Sequence, residues 1–260
     1  MSRIPVLFAG HGSPMNAIED NVWSRGHASL ERLVPRPRAI LAVSAHWESD
    51  GTFTTLDDPP ATIHDFGGFP PELFAMRYPA RGDAVLARRA ASLASGSAAD
   101  GRGLDHGTWS VLHRMYPAAD VPVVQLSLDV RASAAEHLAL GRALAPLRDE
   151  GVLILASGNL THDLRDAFGR MRRADSTTPD WAARFDADVT RALEARDEAW
   201  LVRALDTPDG RRAHPTPEHW LPILYAVGAA GEKDAVSFPL TGFDLGSLSM
   251  RCVWFDAIRI

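Results

Sequence analysis

The chain contains 260 residues, of which 46% are hydrophobic and 23% are charged, a composition typical of a soluble globular protein. This length suits one large α/β domain, and we expect residues 1–260 to form a single domain. The net charge of −6 disfavours nucleic acid or an anionic membrane surface as a partner. Cys252 is the only cysteine, and the N-terminus lacks the pattern of a signal peptide, so we expect a cytoplasmic protein.

Short runs rich in β-branched residues and leucine alternate with Ala-, Leu- and Arg-rich stretches that have helical spacing. The predicted strands are 4–9, 39–45, 121–128, 152–156, 235–240 and 250–255, and the predicted helices are 84–94, 132–150, 178–204 and 218–229. Several strands are apolar almost throughout, so both of their faces should be covered. The pattern predicts an α/β fold in one domain, with a central mostly parallel or mixed sheet and helices on both faces.

Four histidines lie where a predicted strand or a proline-defined turn runs into a polar loop, namely His11, His46, His162 and His219. His11 follows the strand at 4–9, and His46 follows the strand at 39–45. Ligands of open α/β sheets bind beyond the carboxyl ends of the strands, so these two imidazoles can converge on one ion. Imidazole is also the commonest metal-binding side chain. The sequence therefore predicts a metal site at this edge and a metalloenzyme.

The other two histidines of this set have more than one interpretation. His162 follows a Gly-Asn pair that permits a sharp bend, and it could be a fourth metal ligand or a general base. His219 is predicted just inside a helix that has Thr216 as its cap and Pro217 in its first turn. Its neighbour Glu218 is an alternative ligand, because a carboxylate can take the place of an imidazole.

The remaining histidines are expected to have other roles. His106 lies in a Gly-containing turn that opens a helix, and we expect it to contact substrate or a metal ligand rather than the metal. His27, His113 and His137 lie among Arg- or Glu-rich helical residues, which favours a surface position.

A loop at residues 57–71 is rich in Pro, Gly and Phe and has neither helical nor strand periodicity. We call it the Phe/Gly loop. Loops of this length inside a domain are often functional. Phe66 and Phe69 could form the wall of an aromatic pocket, and His64 lies beside them. Alternatively, the loop is a rigid turn that packs both phenylalanines onto the core.

Eight segments along the chain occur in the order and with the residues of a known family. They are Gly-His-Gly-Ser-Pro-Met-Asn (10–16), Ser-Ala-His-Trp (44–47), Ile-His-Asp-Phe-Gly-Gly-Phe-Pro (63–70), Tyr-Pro (78–79), Asp-His-Gly-Thr-Trp (105–109), Gly-Asn-Leu-Thr-His (158–162), Pro-Thr-Pro-Glu-His-Trp-Leu-Pro (215–222) and Gly-Ser-Leu-Ser-Met (246–250). Together they resemble the class III extradiol ring-cleaving dioxygenases of the LigB superfamily, in particular the 4,5-DOPA dioxygenase-like branch. Eight segments in register are far more specific than any one of them.

The resemblance implies a mononuclear non-haem metal site, with Fe(II) expected for activity. It implies metal ligands at His11, His46 and His219. It implies a catalytic role for His162, which would lie close enough to the metal to coordinate it, and a role for His106 in positioning substrate or dioxygen. An all-histidine ligand set also suits zinc, so Zn(II) could be the bound metal.

The reaction that the resemblance implies is insertion of O₂ into a catechol-type ring, DOPA-like or related, beside its two hydroxyls to give a muconic semialdehyde-type product. A neutral His162 near the ordinary histidine pKa of about 6.5 would accept and return a proton. Phe66, Phe69, Trp47 and His64 are the expected substrate-binding residues.

The expected partners are therefore a small catechol and O₂, with no nucleic acid and no membrane, and the chain could form a homo-oligomer. Two alternatives remain open from the residues alone. One is a zinc-dependent hydrolase on the same scaffold, and the other is a non-catalytic protein that binds a metal or ligand.

Overall fold

A large mixed β-sheet forms the centre of the computed structural model, which describes residues 3–257. The strands are β1 (Val6–Gly10), β2 (Ala39–Ser49), β3 (Phe53–Thr55), β4 (Ser97–Ala99), β5 (Val123–Asp129), β6 (Val152–Gly158), β7 (Asp234–Leu240), β8 (Phe243–Asp244), β9 (Leu248–Ser249) and β10 (Cys252–Ala257). Eight of them form one sheet in the order β4-β3-β5-β2-β6-β1-β10-β7, and β8 pairs with β9. β5, β2, β6 and β1 run parallel, whereas β10 and β7 add an antiparallel edge. The predicted α/β fold with a mixed sheet is confirmed.

Helices cover the sheet on both sides. They are α1 (Val22–Leu30), α2 (Pro71–Ala75), α3 (Ala84–Leu93), α4 (His106–Met115), α5 (Ala134–Leu144), α6 (Leu164–Arg172), α7 (Asp180–Ala195), α8 (Glu198–Arg203), α9 (Pro208–Ala213) and α10 (Leu221–Ala229). Short 3₁₀ helices occupy Pro14–Ala17, Glu31–Leu33, Ala145–Arg148 and Ala204–Asp206. Among the described residues, none of these helices has both the length and the apolar character that crossing a bilayer requires.

The continuous apolar character of the central strands follows from this two-sided cover. In β1, Val6 and Phe8 join one core with α3, α5, α7 and α10, while Leu7 and Ala9 join a second core with α1 and α4. Successive side chains of a strand point to opposite faces, so a strand buried on both faces must be apolar at every position. Few buried polar residues lie inside these strands, Gln125 of β5 being one, so polar groups concentrate at the strand ends.

Two predicted helices are shorter than expected. The predicted helix at 178–204 is divided into α7 and α8, because Arg196 adopts a left-handed conformation with φ of 55° and ends α7. The predicted helix at 132–150 begins only at Ala134, where Ser133 and Glu136 form a capping box. It changes to a 3₁₀ helix at Ala145.

The prediction that His27 and His137 lie at the surface is wrong. Both rings are fully buried, and each has a specific hydrogen-bond partner. The His27 Nε2 lies 3.1 Å from the carbonyl oxygen of Gly10, and the His137 Nδ1 lies 3.0 Å from the hydroxyl of Tyr225. A paired imidazole can replace an apolar side chain in a core, which charged neighbours along the helix do not reveal.

Cys252 is buried in β10, and burial raises the pKa of its thiol to about 12. The residue is therefore a packed core thiol rather than a reactive one.

Candidate metal centre and active site

His11 lies directly after β1, at the carboxyl end of a strand in the middle of the sheet. Its backbone N–H donates to the carbonyl oxygen of Gly158 at the end of the neighbouring β6, at 3.0 Å. The side chain is buried. The main chain of two adjacent strands therefore determines where this imidazole lies.

His46 lies inside β2, not after it, which corrects the predicted strand end at residue 45. The pairing with β5 runs regularly to Val43 and resumes only at Glu48, so the four residues between them face a single residue of β5. Such a bulge bends the strand and turns a side chain out of the regular pattern. The backbone carbonyl of His46 accepts a hydrogen bond from Arg102 at 2.8 Å, which replaces part of the lost strand pairing.

His219 lies in the turn before α10 rather than inside that helix, so the predicted helix start is wrong. The helix begins at Leu221, and the predicted cap Thr216 instead donates its hydroxyl hydrogen to Glu218 Oε1, at 2.9 Å. The carbonyl oxygen of His219 accepts a hydrogen bond from the backbone N–H of Asn159 at 3.1 Å. The turn thus rests on the segment that follows β6.

The rings of His11, His46 and His219 form a nearly equilateral triangle, with centroid separations of 5.0, 5.2 and 4.9 Å. The Nε2 atoms of His11 and His46 lie 3.2 Å apart. Among the described residues, the buried Nε2 of His219 has no hydrogen-bond partner.

The opposite ring nitrogen of each of these three histidines lies close to an oxygen of a polar side chain. The three Nδ1 atoms lie 2.9, 3.4 and 3.1 Å from Ser157 Oγ, Asp65 Oδ2 and Glu218 Oε1, respectively. The Ser157 hydroxyl donates its hydrogen to the carbonyl oxygen of Gly107 at 2.6 Å, so it accepts the Nδ1–H of His11. These contacts favour a proton on Nδ1 and a lone pair on Nε2.

Burial keeps these imidazoles neutral. Burial, followed by neighbouring histidines, lowers the pKa of His11 and of His219 well below the ordinary value. Burial and then His106 lower the pKa of His46 to about 3. A neutral imidazole is the form that binds a metal ion, so the donor set fits a divalent transition metal.

His106 begins α4, and the Asp65 carboxylate holds it from two directions. Its backbone N–H donates to Asp65 Oδ1 at 3.0 Å, and its Nδ1 lies 3.0 Å from Asp65 Oδ2. Burial raises the pKa of the Asp65 carboxyl, but hydrogen bonding and charge from His106, together with the charge of His46, outweigh burial and lower this pKa to about 2. The His106 ring lies 3.9 Å from that of His46, centroid to centroid.

The structure brings together all of the ligands considered from the sequence, including the alternatives His162 and Glu218, and adds His106 to them. Ligand atoms of His11, His46 and His106 lie within 4.8 Å of one another, and so do those of His162, Glu218 and His219. Both groups meet at the carboxyl end of the central strands.

His162 stacks on His219, with centroids 3.4 Å apart and an interplanar angle of 7°. Its backbone N–H donates to the carbonyl oxygen of Ala213 at 2.8 Å. Burial, and then His214 and His106, lower the pKa of His162 to about 3. This corrects the expectation of an ordinary histidine pKa, because the sequence does not reveal how many imidazoles surround this ring.

The two phenylalanines of the Phe/Gly loop pack on the core and lie beside a histidine of the cluster. Phe66 presents its ring at 82° to that of His106, at 5.4 Å, and Phe69 packs on Phe66 at 5.3 Å. Both phenylalanines also pack against the second core. The loop is therefore anchored on the core at the point where it reaches His106.

The other two predicted substrate-binding residues have contacts elsewhere. The His64 Nε2 lies 3.1 Å from the carbonyl oxygen of Met76, and the Trp47 ring lies 5.6 Å below the Arg102 guanidinium. Neither ring stacks on the clustered histidines within residues 3–257.

Sequence reasoning did not identify the roles of Asp65 and Ser157. Asp65 directly follows His64 in the Phe/Gly loop, and Ser157 is the polar residue before Gly158 at the end of an apolar strand. A polar residue at such a strand end was the available signal for Ser157. The signal for Asp65 was weaker, because the loop has no periodicity from which to infer the direction of its side chains.

Comparison with protein families decides which class of enzyme has this site. The model of the catalytic LigB subunit of aromatic ring-opening dioxygenases matches residues 5–244. The chain belongs to this family. It is an enzyme, an extradiol ring-opening dioxygenase, as the resemblance implied.

Relatives of this LigB-family enzyme match it over nearly their whole length. The 4,5-DOPA dioxygenase extradiol of Escherichia coli K12 is 45% identical over 97% of this chain and 94% of its own. The protein of the same name from Beta vulgaris is 41% identical, over 94% of this chain and 93% of its own. The crystal structure of an uncharacterized protein from Escherichia coli K12 is similar with a TM-score of 0.83 and 41% identity, over 97% of this chain and 99% of the other.

Proposed function

We propose that this LigB-family enzyme cleaves the ring of a catechol, DOPA-like or related, beside its two hydroxyls and that it inserts both atoms of O₂. The product is a muconic semialdehyde-type acid. Oxidation of the ring supplies all the electrons that reduce O₂, so the reaction needs no external reductant. We also propose that residues 1–260 act as one catalytic domain.

One observation carries the proposal of a metal site. The Nδ1 atoms of His11 and His46 face acceptor oxygens, so their Nε2 lone pairs face each other across 3.2 Å. Two lone pairs at this distance repel, and a cation between the rings removes the repulsion. The orphaned Nε2 of His219 is the third donor.

The ring separations support His219 over His106 as the third ligand. Metal–nitrogen bonds of about 2.1 Å, at angles of roughly 90–110°, bring the centroids of coordinated imidazoles about 4.6–5.3 Å apart. The pairs among His11, His46 and His219 lie at 4.9–5.2 Å. The pairs of His106 with His46 and His11 lie at 3.9 and 5.7 Å, outside that range.

Glu218 is better suited to orienting His219 than to replacing it. Its Oε1 already accepts from the hydroxyl of Thr216 and lies 3.1 Å from His219 Nδ1. A carboxylate in this position fixes the ring and raises the basicity of the opposite nitrogen.

We propose Fe(II) as the working metal and Zn(II) as a metal that the same ligands would also hold. Bound Fe(II) would supply coordination positions for both catechol oxygens and for O₂ on a single ion. Three protein ligands leave such positions open.

We propose His162 as the residue that moves the proton. Its burial and low pKa keep it neutral, so it can accept a proton from a catechol hydroxyl. Ionised catechol beside it would raise the pKa of His162, because a neighbouring negative charge stabilises the imidazolium. The ring would then return the proton to a departing oxygen.

The remaining proposed roles concern substrate placement. His106, held through Nδ1 by Asp65, would donate a hydrogen bond to negative charge that develops on a reacting oxygen. Phe66 would contact the catechol ring, supported by Phe69. We retain Trp47 and His64 as proposed pocket residues at the periphery.

Oxygen uptake tests the proposed reaction. Protein reconstituted anaerobically with Fe(II) is expected to consume O₂ with at least one member of a catechol panel and to form a yellow product, whereas zinc-loaded protein is not. The panel should include DOPA, since that substrate stands in the names of the relatives. Stoichiometric iron without uptake for any catechol would contradict the proposal and would direct the search to ester and amide substrates.

A further inference from the structure

Of Ser157, Asp65 and Glu218, only Asp65 lies close to the Nδ1 atoms of two histidines. Its Oδ2 lies 3.4 Å from Nδ1 of His46 and 3.0 Å from Nδ1 of His106, and its Oδ1 accepts the backbone N–H of His106. The residue lies at the surface, but its side chain is only 19% exposed because the carboxylate is turned toward the two rings. A single carboxylate therefore faces the ring nitrogens of a proposed ligand and of a proposed substrate-contacting residue.

We propose that Asp65 is the positioning residue that sets the tautomers of His46 and His106 together. Both Nδ1 atoms lie at ion-pair distance from the carboxylate rather than in hydrogen bonds, so it is the negative charge of Asp65 that favours Nδ1–H on both rings. His46 then presents a lone pair at Nε2 toward the neighbouring Nε2 of His11. The inference rests on the proposed roles of His46 and His106 and adds what holds them.

The position of Asp65 in the chain gives this role a consequence for the pocket. Its neighbour Phe66 contacts the His106 ring and packs on Phe69. The same short segment thus carries the carboxylate that orients two histidines and the aromatic wall beside them. Movement of the Phe/Gly loop would change the metal ligand and the pocket wall at once.

The proposal differs from a purely structural role for Asp65 as an anchor of the loop. The backbone N–H of His106 alone would suffice to tie the loop to α4. The two Nδ1 contacts require a group that is negatively charged and has only acceptor oxygens. The isosteric amide of asparagine is uncharged, and its NH₂ side cannot accept a hydrogen bond. Asp65→Asn therefore separates the two roles.

The test compares Asp65→Asn with Glu72→Gln, a matched carboxylate-to-amide change on the exposed side of α2. Zn²⁺ affinity is measured by competition with a chromophoric chelator, and thermal unfolding midpoints check folding. Loss of a carboxylate that orients a ligand typically weakens metal binding about 10–100-fold. We expect a loss of this size for Asp65→Asn and a change of less than about twofold for Glu72→Gln, by the same reasoning.

Nitrogen-15 NMR of the histidine rings gives a second readout, and its wild-type part does not depend on the folding of a variant. In zinc-loaded wild-type protein, His46 and His106 are expected to carry their protons on Nδ1. In Asp65→Asn, the His106 ring is expected to become a mixture of tautomers. Asp65→Glu, which keeps the charge, should recover part of the Zn²⁺ affinity.

Unchanged Zn²⁺ affinity in Asp65→Asn, or a proton on Nε2 of His106 in the wild type, would overturn the inference. Failure of the proposed function has a different signature. The wild type would then take up no oxygen with iron, while the difference in Zn²⁺ affinity between Asp65→Asn and Glu72→Gln would remain.

Discussion

The histidines of the site differ in whether a neighbouring side chain contacts the Nδ1 of the ring. Ser157, Asp65 and Glu218 hold the three rings of the proposed ligands, while His162 lies flat against His219 without such a partner at its ring among the described residues. A ring with an anchored Nδ1 is suited to bind a metal, because its orientation is fixed. A ring held mainly by stacking retains a nitrogen for proton transfer.

This difference predicts opposite effects of single substitutions. His11→Ala, His46→Ala and His219→Ala are each expected to lose most bound metal, whereas His162→Ala is expected to retain it and to lose turnover by about 10²–10⁴-fold, the usual contribution of a general base. Metal analysis after dialysis and oxygen uptake measure the two quantities. Full metal content in His219→Ala would contradict its assignment and would favour Glu218 or His106 as the ligand.

At the scale of elements, the site depends on close packing between the end of β6 and the turn before α10. A Cβ on Gly158 would lie 2.3 Å from the backbone carbonyl oxygen of His219, which is too close without movement of the turn. The same glycine accepts the backbone N–H of His11. One residue without a side chain therefore sets the spacing of two proposed ligands.

Gly158→Ala is accordingly expected to weaken metal binding by at least about tenfold, although it removes no ligand, because displaced ligands lose coordination geometry. Zn²⁺ affinity and oxygen uptake are the measurements. Gly67→Ala is the matched control, since no atom lies within 4 Å of the position that its Cβ would occupy. Equal Zn²⁺ affinities of the two variants would show that the turn adjusts freely.

At the scale of the whole molecule, the fold buries several histidines in neutral form outside the metal site. Burial lowers the pKa of His27, His137 and His214 to about 4 in each case. Each has a hydrogen-bond partner, a carbonyl oxygen or a tyrosine hydroxyl, at 2.9–3.1 Å. The unfolded chain has no such burial, so its imidazoles titrate near pH 6.5.

These histidines predict a loss of stability in mild acid. Below pH 6.5 the unfolded state binds more protons than the folded state, so the free energy of unfolding falls as the pH decreases toward about 4. Each fully shifted histidine lowers the free energy of unfolding by about 3 kcal/mol over this range. Urea unfolding of metal-free protein at pH 7.5, 6 and 5 measures it, and His137→Gln should show a smaller decrease than the wild type. A urea midpoint independent of pH would contradict the prediction.

The fold was largely predictable because strands that are buried on both faces have continuous apolar sequences. β1 and β6 accordingly end within two residues of their predicted limits. Helix limits were less predictable. The division at Arg196 depends on a left-handed residue other than glycine and has no local signal in the sequence. The start of α10 at Leu221 has a local signal in Pro222, but Pro217 offered the same signal five residues earlier.

The clustering of the histidines was predictable, but the groups that orient them were not. Strand ends and a proline-rich turn pointed to His11, His46 and His219, and the structure brings their rings together. Asp65 lies 41 residues before His106 in sequence, and its contact with that residue forms only when the loop folds over α4. The low pKa of His162 likewise arises from residues that are distant along the chain.

The bulge in β2 has a further consequence for the mechanics of the sheet. Between Val43 and Glu48 the strand gives up its regular pairing with β5, and side chains such as Arg102 take over part of the backbone's role there. A metal ion bound by His11 and His46 would join the end of β1 to this irregular part of β2, although β6 lies between the two strands in the sheet. Loading the enzyme with metal would therefore stabilise the segment of β2 that has lost its regular pairing with β5.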